Sequence, residues 1–218
     1  MNANSLQADR QRRLYAVAFG LAVFTILFNI AEGLVSTYFG YEDESFTLLG
    51  FGVDSFIEVI SGTGIAHMVM RIRRDPQTSR DRFESTALRV TGFAFYALTA
   101  GLVATGIYNA VTGHKPETAL WGVIISLVSI ATMWALIYGK TRVGRELNSG
   151  AILADAECTR VCIYMSVVLL AASAIYELTR FPYMDTLGTL GLAFFSFREG
   201  QECFQKAKGN AHCGCCRD

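Results

Sequence analysis

Six long apolar blocks divide this chain, and a segment that is apolar along its whole length has few ways to leave water. A bilayer core of roughly 30 Å is crossed by about 20 apolar residues of helix, whereas a run of 10–14 suits a buried helix of a soluble protein. The blocks run approximately over Leu14–Tyr38, Ser45–Met70, Glu84–Val111, Thr118–Gly139, Ala151–Tyr176 and Phe181–Phe197, and the last is the shortest. With 52% hydrophobic and 17% charged residues concentrated in this pattern, the chain reads as an all-α, polytopic membrane protein with six transmembrane helices. Arg10, Arg12 and Arg13 precede a first block far longer than the apolar core of a signal peptide, so that block is expected to remain as a span.

Formal net charge is zero, yet the basic residues alternate between connections. Arg10, Arg12 and Arg13 stand before the first block, Arg71, Arg73, Arg74, Arg80 and Arg82 between the second and third, and Lys140, Arg142 and Arg145 between the fourth and fifth. The remaining connections hold only Lys115 and Arg180 against Glu42, Asp43, Glu44, Glu117 and Asp185. The positive-inside rule then places the N- and C-termini in the cytoplasm. Short connections leave no room for an inserted domain. The expected organisation is a cytoplasmic N-terminal segment over 1–13, a six-helix membrane domain over 14–200, and a flexible, Cys-rich cytoplasmic tail over 201–218. Recurrent small residues such as Gly50, Gly52, Gly62, Gly64, Gly188 and Gly191 suit close helix packing.

An ionisable side chain near the middle of a bilayer costs at least about 2.5–3.5 kcal/mol on insertion scales, which makes it a functional candidate by default. Asp54 and Glu58 in the second block are four residues apart and share one helical face. Cys158 and Cys162 in the fifth block repeat that spacing. At about 1.5 Å per residue, Asp54 lies roughly 14 Å in from Ser45, and Cys158 and Cys162 lie roughly 10 and 16 Å in from Ala151 on the other side. The two pairs therefore approach a common plane. Two carboxylates and two thiols can build a tetrahedral site for zinc, cadmium or a similar soft divalent ion. Taken alone, the cysteines also suit a plain apolar role, and the carboxylates a hydrogen bond between helices. An internal disulfide is disfavoured, because i,i+4 side chains on a helix stand about 5–6 Å apart at Cβ.

Other polar residues are less specific. Asn29, Glu32, Asp155, Glu157, Arg160 and Glu177 could line a path or pair with one another, with Asp155 or Glu157 compensating Arg160. In the tail, Cys203 and the run His212, Cys213, Cys215 and Cys216 concentrate soft donors that a reducing cytoplasm keeps as thiols.

These motifs resemble the cation diffusion facilitator, or cation efflux, family. Its second span reads approximately S-x-A-L-x-A-D-A-x-(H/D)-S-x-x-D, and Ser45, Leu48, Gly50, Gly52, Asp54, Ser55 and Glu58 fall on or near those positions. Its fifth span reads A-D-A-x-H-x-x-x-D, matched by Ala154, Asp155 and Ala156, with Cys158 and Cys162 at the His and Asp positions. Asn29 resembles a recurring Asn of the first span. Three departures stand out: Phe51 where an Asp is common, thiols for both fifth-span ligands, and no cytoplasmic metal-binding domain. The resemblance implies a six-span secondary transporter that exports a divalent metal from the cytoplasm in exchange for protons, with a homodimer as its assembly. Asp54, Glu58, Cys158 and Cys162 would form its midplane metal site, and Asn29, Glu32, Asp155, His212, Cys213, Cys215 and Cys216 would be accessory.

The expected partners are the lipid bilayer, the metal ion and protons, without nucleic acid. The metal is cargo, with no cofactor and no enzymatic reaction, and the plasma (inner) membrane is the expected location. Two rival readings stand beside this one: a non-transporting membrane protein that senses or presents metal through its Cys-rich tail, and a thiol-redox protein built on Cys158 and Cys162.

Overall fold

The computed structural model describes residues 3–74, 82–113, 115–181 and 183–208, with the side chains of 3–9, 72, 73, 82–84, 150, 151 and 154 set aside. Among the described residues the chain is entirely helical outside short turns. Six helices follow one another: α1 (Ala3–Glu42), α2 (Phe46–Arg74), α3 (Arg82–Thr112), α4 (Leu120–Glu146), α5 (Gly150–Thr179) and α6 (Met184–Ala207). Five of them, α1 to α5, are long and apolar enough to cross a membrane. Their outward faces carry exposed Phe24, Leu27, Leu34, Trp134, Tyr138 and Leu178, which a lipid surface would cover favourably.

The sixth helix departs from expectation in composition and in length. At 24 residues it is about 36 Å long, yet it is not apolar enough to rank with the other five. The reason is a polar stripe at i,i+3 and i,i+4 spacing, Asp185, Thr189, Ser196, Glu199 and Cys203, all of it buried against the bundle. Residues 201–207, expected to open a flexible tail, continue the helix instead. Cys203 packs with Ile57 and Phe95, so this end of α6 has its own buried contacts. Similarly, α1 begins at Ala3, so the segment expected before the first span is helical.

Because lipid is as apolar as leucine, helices in a membrane associate through close packing and polar contacts. The α1–α2 crossing shows the first. A Cβ on Gly52 would lie 2.7 Å from the Thr37 backbone nitrogen, and one on Gly33 would lie 3.1 Å from the Gly52 carbonyl oxygen. Only glycine at both positions lets the two backbones touch, and that contact brings the polar face of α1 against that of α2.

Asp185 at the start of α6 shows the second. Its carboxylate accepts hydrogen bonds from Ser45 Oγ (2.8 Å), the backbone nitrogens of Phe46 (3.1 Å) and Thr47 (3.2 Å), and Asn109 Nδ2 (3.0 Å). One side chain thus satisfies free N–H groups at the start of α2 and ties α2, α3 and α6 together. Glu177 of α5 does the same for α4, accepting from Thr118 Oγ1 (2.5 Å) and the Ala119 nitrogen (2.6 Å). Glu177, a candidate for a path from sequence, is thereby placed as a cap.

Contacts at the other end join Ala18 of α1, Val69 of α2, Val143 of α4 and Ile152 of α5 in one apolar cluster. A second cluster near the Asp185 end holds Leu48, Phe51, Leu102, Ile125, Met165, Leu169, Leu192 and Ala193. Phe51 lies fully inside it, which gives the departure at this position a physical basis: the side chain fills core where an Asp would need a partner. Polar side chains fill the layer between the two clusters. α2 sits at its centre, packed against α1, α3, α5 and α6.

Candidate metal centre

The polar layer holds a half-open cavity of about 50 Å³, lined among others by Asn29, Glu58, Lys140, Asp155, Cys158, Thr159, Cys162 and Glu199. A water molecule needs only about 10–15 Å³ of such space, so a partly dehydrated ion fits. Four helices besides α1 contribute charged or sulfur-bearing groups to it.

Helical periodicity sets Asp54 and Glu58 on the inward face of α2. Glu58 is held from both sides: Asn29 Nδ2 of α1 donates to its Oε2 (2.8 Å), and Cys162 Sγ of α5 donates to its Oε1 (2.7 Å). The contact between Glu58 and Cys162 joins the two motifs directly. Asp54, one turn further along, is 2% exposed, and its Oδ1 has no hydrogen-bond partner among the described residues. It is not among the described residues that line the cavity. Glu32 of α1 completes the polar face, taking a hydrogen bond from Ser55 Oγ (2.9 Å) while its other oxygen stays unpartnered among the described residues.

Cys158 faces the same cavity but meets a different group, Lys206 Nζ of α6 at 2.8 Å. An ammonium thus stands beside a thiol at which the sequence suggested a metal. Among the described residues no three His, Cys, Asp or Glu side chains converge closely enough to hold a metal ion in this conformation. The donors line one cavity without closing on one point.

Asp155 is paired with Lys140 Nζ (3.0 Å), which also donates to Thr159 Oγ1 (2.9 Å). By sequence alone Lys140 belongs to a basic connection between the fourth and fifth blocks. In the structure α4 runs on to Glu146, and Lys140 is 2% exposed within it. The partner of Asp155 is therefore Lys140, and Arg160 pairs with Glu157 at 2.8 Å. His212, Cys213, Cys215 and Cys216 lie outside the described residues.

Three residues of the cavity region escaped the sequence reading: Lys140, Glu199 and Lys206. The stripe from Asp185 to Cys203 held the signal for Glu199, legible once α6 is carried past Phe197. Outside the spans, at the far end of the bundle, Asp43 lies beside Glu117, Glu177 and Glu42. Burial first, and then these like charges, hold its carboxyl above the usual range.

Buried carboxylates and thiols around a small cavity inside a helical membrane bundle are the chemistry of a cation path. No curated protein matches the chain at a significant level. The family description "Cation efflux transmembrane domain" matches residues 19–207, from α1 to the last residue of α6. By that match over most of its length, the chain belongs to the cation efflux family, whose members carry metal cations across membranes.

Proposed function

We propose that the chain is a secondary transporter that exports a divalent cation, zinc or a softer ion such as cadmium, in exchange for protons. Its site would comprise Asp54, Glu58, Cys158 and Cys162, in a plasma or inner membrane with both termini cytoplasmic. The observation that carries this reading is the hydrogen bond from Cys162 Sγ to Glu58 Oε1, which joins α5 to α2 inside the cavity.

That contact suggests how cargo and proton exclude each other. Zn–S and Zn–O bonds are about 2.3 and 2.1 Å long, so two ligands at a tetrahedral angle stand about 3.6 Å apart. The Cys162–Glu58 pair is at 2.7 Å and is bridged by a proton. An ion must displace that proton and spread the pair by roughly 1 Å. Cys158 must likewise part from Lys206. Loss of the ion lets proton and ammonium return, and a site that holds either metal or protons is sufficient for antiport.

In vesicles reconstituted with the purified protein, Zn²⁺ or Cd²⁺ uptake should require a pH gradient and vanish in Asp54→Ala and Glu58→Gln. Gradient-dependent uptake that persists in both variants would remove the site assignment. Orientation has its own test: a cysteine introduced at Glu44 should react with an impermeant maleimide added outside intact cells, and one introduced at Arg142 only after permeabilisation.

A further inference from the structure

We propose that Glu199 of α6 is a ligand of the transported cation, entering the cavity beside Glu58, Cys158 and Cys162. This deepens the transporter reading and rests on it.

Among the described residues, three carboxylates line the cavity, Glu58, Asp155 and Glu199, together with one ammonium, that of Lys140. Lys140 is committed to Asp155 at 3.0 Å. Glu58 takes its two hydrogen bonds from neutral groups, Asn29 and Cys162. Glu199 is 8% exposed, and its Oε2 has no hydrogen-bond partner among the described residues. A buried carboxylate oxygen left without a donor costs free energy unless something else compensates it. The other oxygen-bearing members of the α6 stripe have partners: Asp185 its four donors, Thr189 the Asp185 carbonyl, and Ser196 the Phe95 carbonyl. Glu199 is the member of the stripe that both lines the cavity and carries an oxygen without a hydrogen-bond partner among the described residues.

Lys206 lies two turns beyond Glu199 on the same face of α6. Its ammonium reaches Cys158 Sγ at 2.8 Å and Glu202 at 3.5 Å. This wall of the cavity therefore already holds a positive charge against sulfur, supplied by a tethered side chain. An ion arriving from that end meets Glu199 and Cys158 first, and then Glu58 and Cys162. Asp54 is the next carboxylate along α2. Glu199 thereby adds an oxygen donor, of a type that a borderline-soft divalent ion accepts, at the entry to the site of Asp54, Glu58, Cys158 and Cys162.

The test uses full-length protein in detergent and reads alkylation of Cys158 and Cys162 by peptide mass mapping, which separates them from the four other cysteines. Zn²⁺ is titrated, and the concentration that halves the alkylation rate is recorded. Glu199→Gln should raise that concentration at least about tenfold, as loss of a metal-site group does. Glu199→Ser serves if the Gln variant does not fold, and Glu146→Gln at the surface end of α4 controls for loss of a carboxylate away from the cavity. Wild-type protection in the Glu199 variants, with protection lost in Glu58→Gln, overturns the role of Glu199 and leaves the transporter reading standing. Absence of Zn²⁺ protection in the wild-type protein overturns both.

Discussion

Cys162 Sγ donates a hydrogen bond to Glu58 Oε1 at 2.7 Å, so a thiol from α5 and a carboxylate from α2 share one proton within the bundle. Thiolate favours soft ions and carboxylate favours hard ones, and the pair should set selectivity as well as affinity. Cys162→Ser should lower Cd²⁺ transport about tenfold more than Zn²⁺ transport, because zinc accepts oxygen donors more readily. Competitive uptake of the two ions into vesicles measures the ratio. An equal loss for both would show that the sulfur acts only through packing.

The same contact fixes the sign of the pH dependence. The thiol must give up its proton before sulfur binds metal, so acid on the loading side opposes binding and alkali favours it. With one proton displaced per ion, the apparent KM should rise about tenfold for each pH unit lowered on that side, and about a hundredfold with two. Initial rates in vesicles clamped at a series of external pH values give the slope. A KM that is flat over two pH units would exclude proton displacement from the binding step.

The i,i+4 pairs were legible because both members of each lie on one helix, where spacing alone fixes a shared face. Asp54 with Glu58, and Cys158 with Cys162, could be picked out without knowing any neighbour. What each pair meets depends on how the helices pack, and spacing does not encode it. Cys162 meets Glu58, whereas Cys158 meets Lys206, from a stretch that read as polar tail. Lys140 was misplaced for a related reason: Lys in a basic run resembles a solvated loop residue until Asp155 is seen opposite it. α6 escaped in part because hydropathy averages over a window, and its apolar outer face is diluted by the polar stripe it buries.

Lys140 and Asp155 form the most deeply buried ion pair among the described residues, with side chains 3% and 14% exposed. Removing one partner of such a pair strands the other charge, whereas replacing both by apolar groups is often neutral. Lys140→Met should destabilise the bundle by about 3–5 kcal/mol, and Lys140→Met with Asp155→Leu should recover most of that loss. Thermal unfolding of the purified variants in detergent tests the cycle. Additive losses in the double variant would mean that the two residues stabilise the fold independently.

Asp185 offers the contrasting case, a buried carboxylate whose work is structural. Four donors from α2 and α3 converge on it, and it belongs to the end of the bundle away from Cys158 and Lys206. Asp185→Ala would leave Ser45, Asn109 and two backbone N–H groups without their acceptor, at a cost of about 2–4 kcal/mol. Asp185→Asn keeps one acceptor oxygen and should cost less. Since its hydrogen-bond donors among the described residues are Ser45, Phe46, Thr47 and Asn109 and none is a cavity ligand, both variants should lower the melting temperature while the Zn²⁺ concentration that protects Cys162 stays at the wild-type value. A shifted protective concentration in a variant that is still folded would show that Asp185 communicates with the metal site through α2, the helix whose start it caps and whose middle carries Asp54 and Glu58.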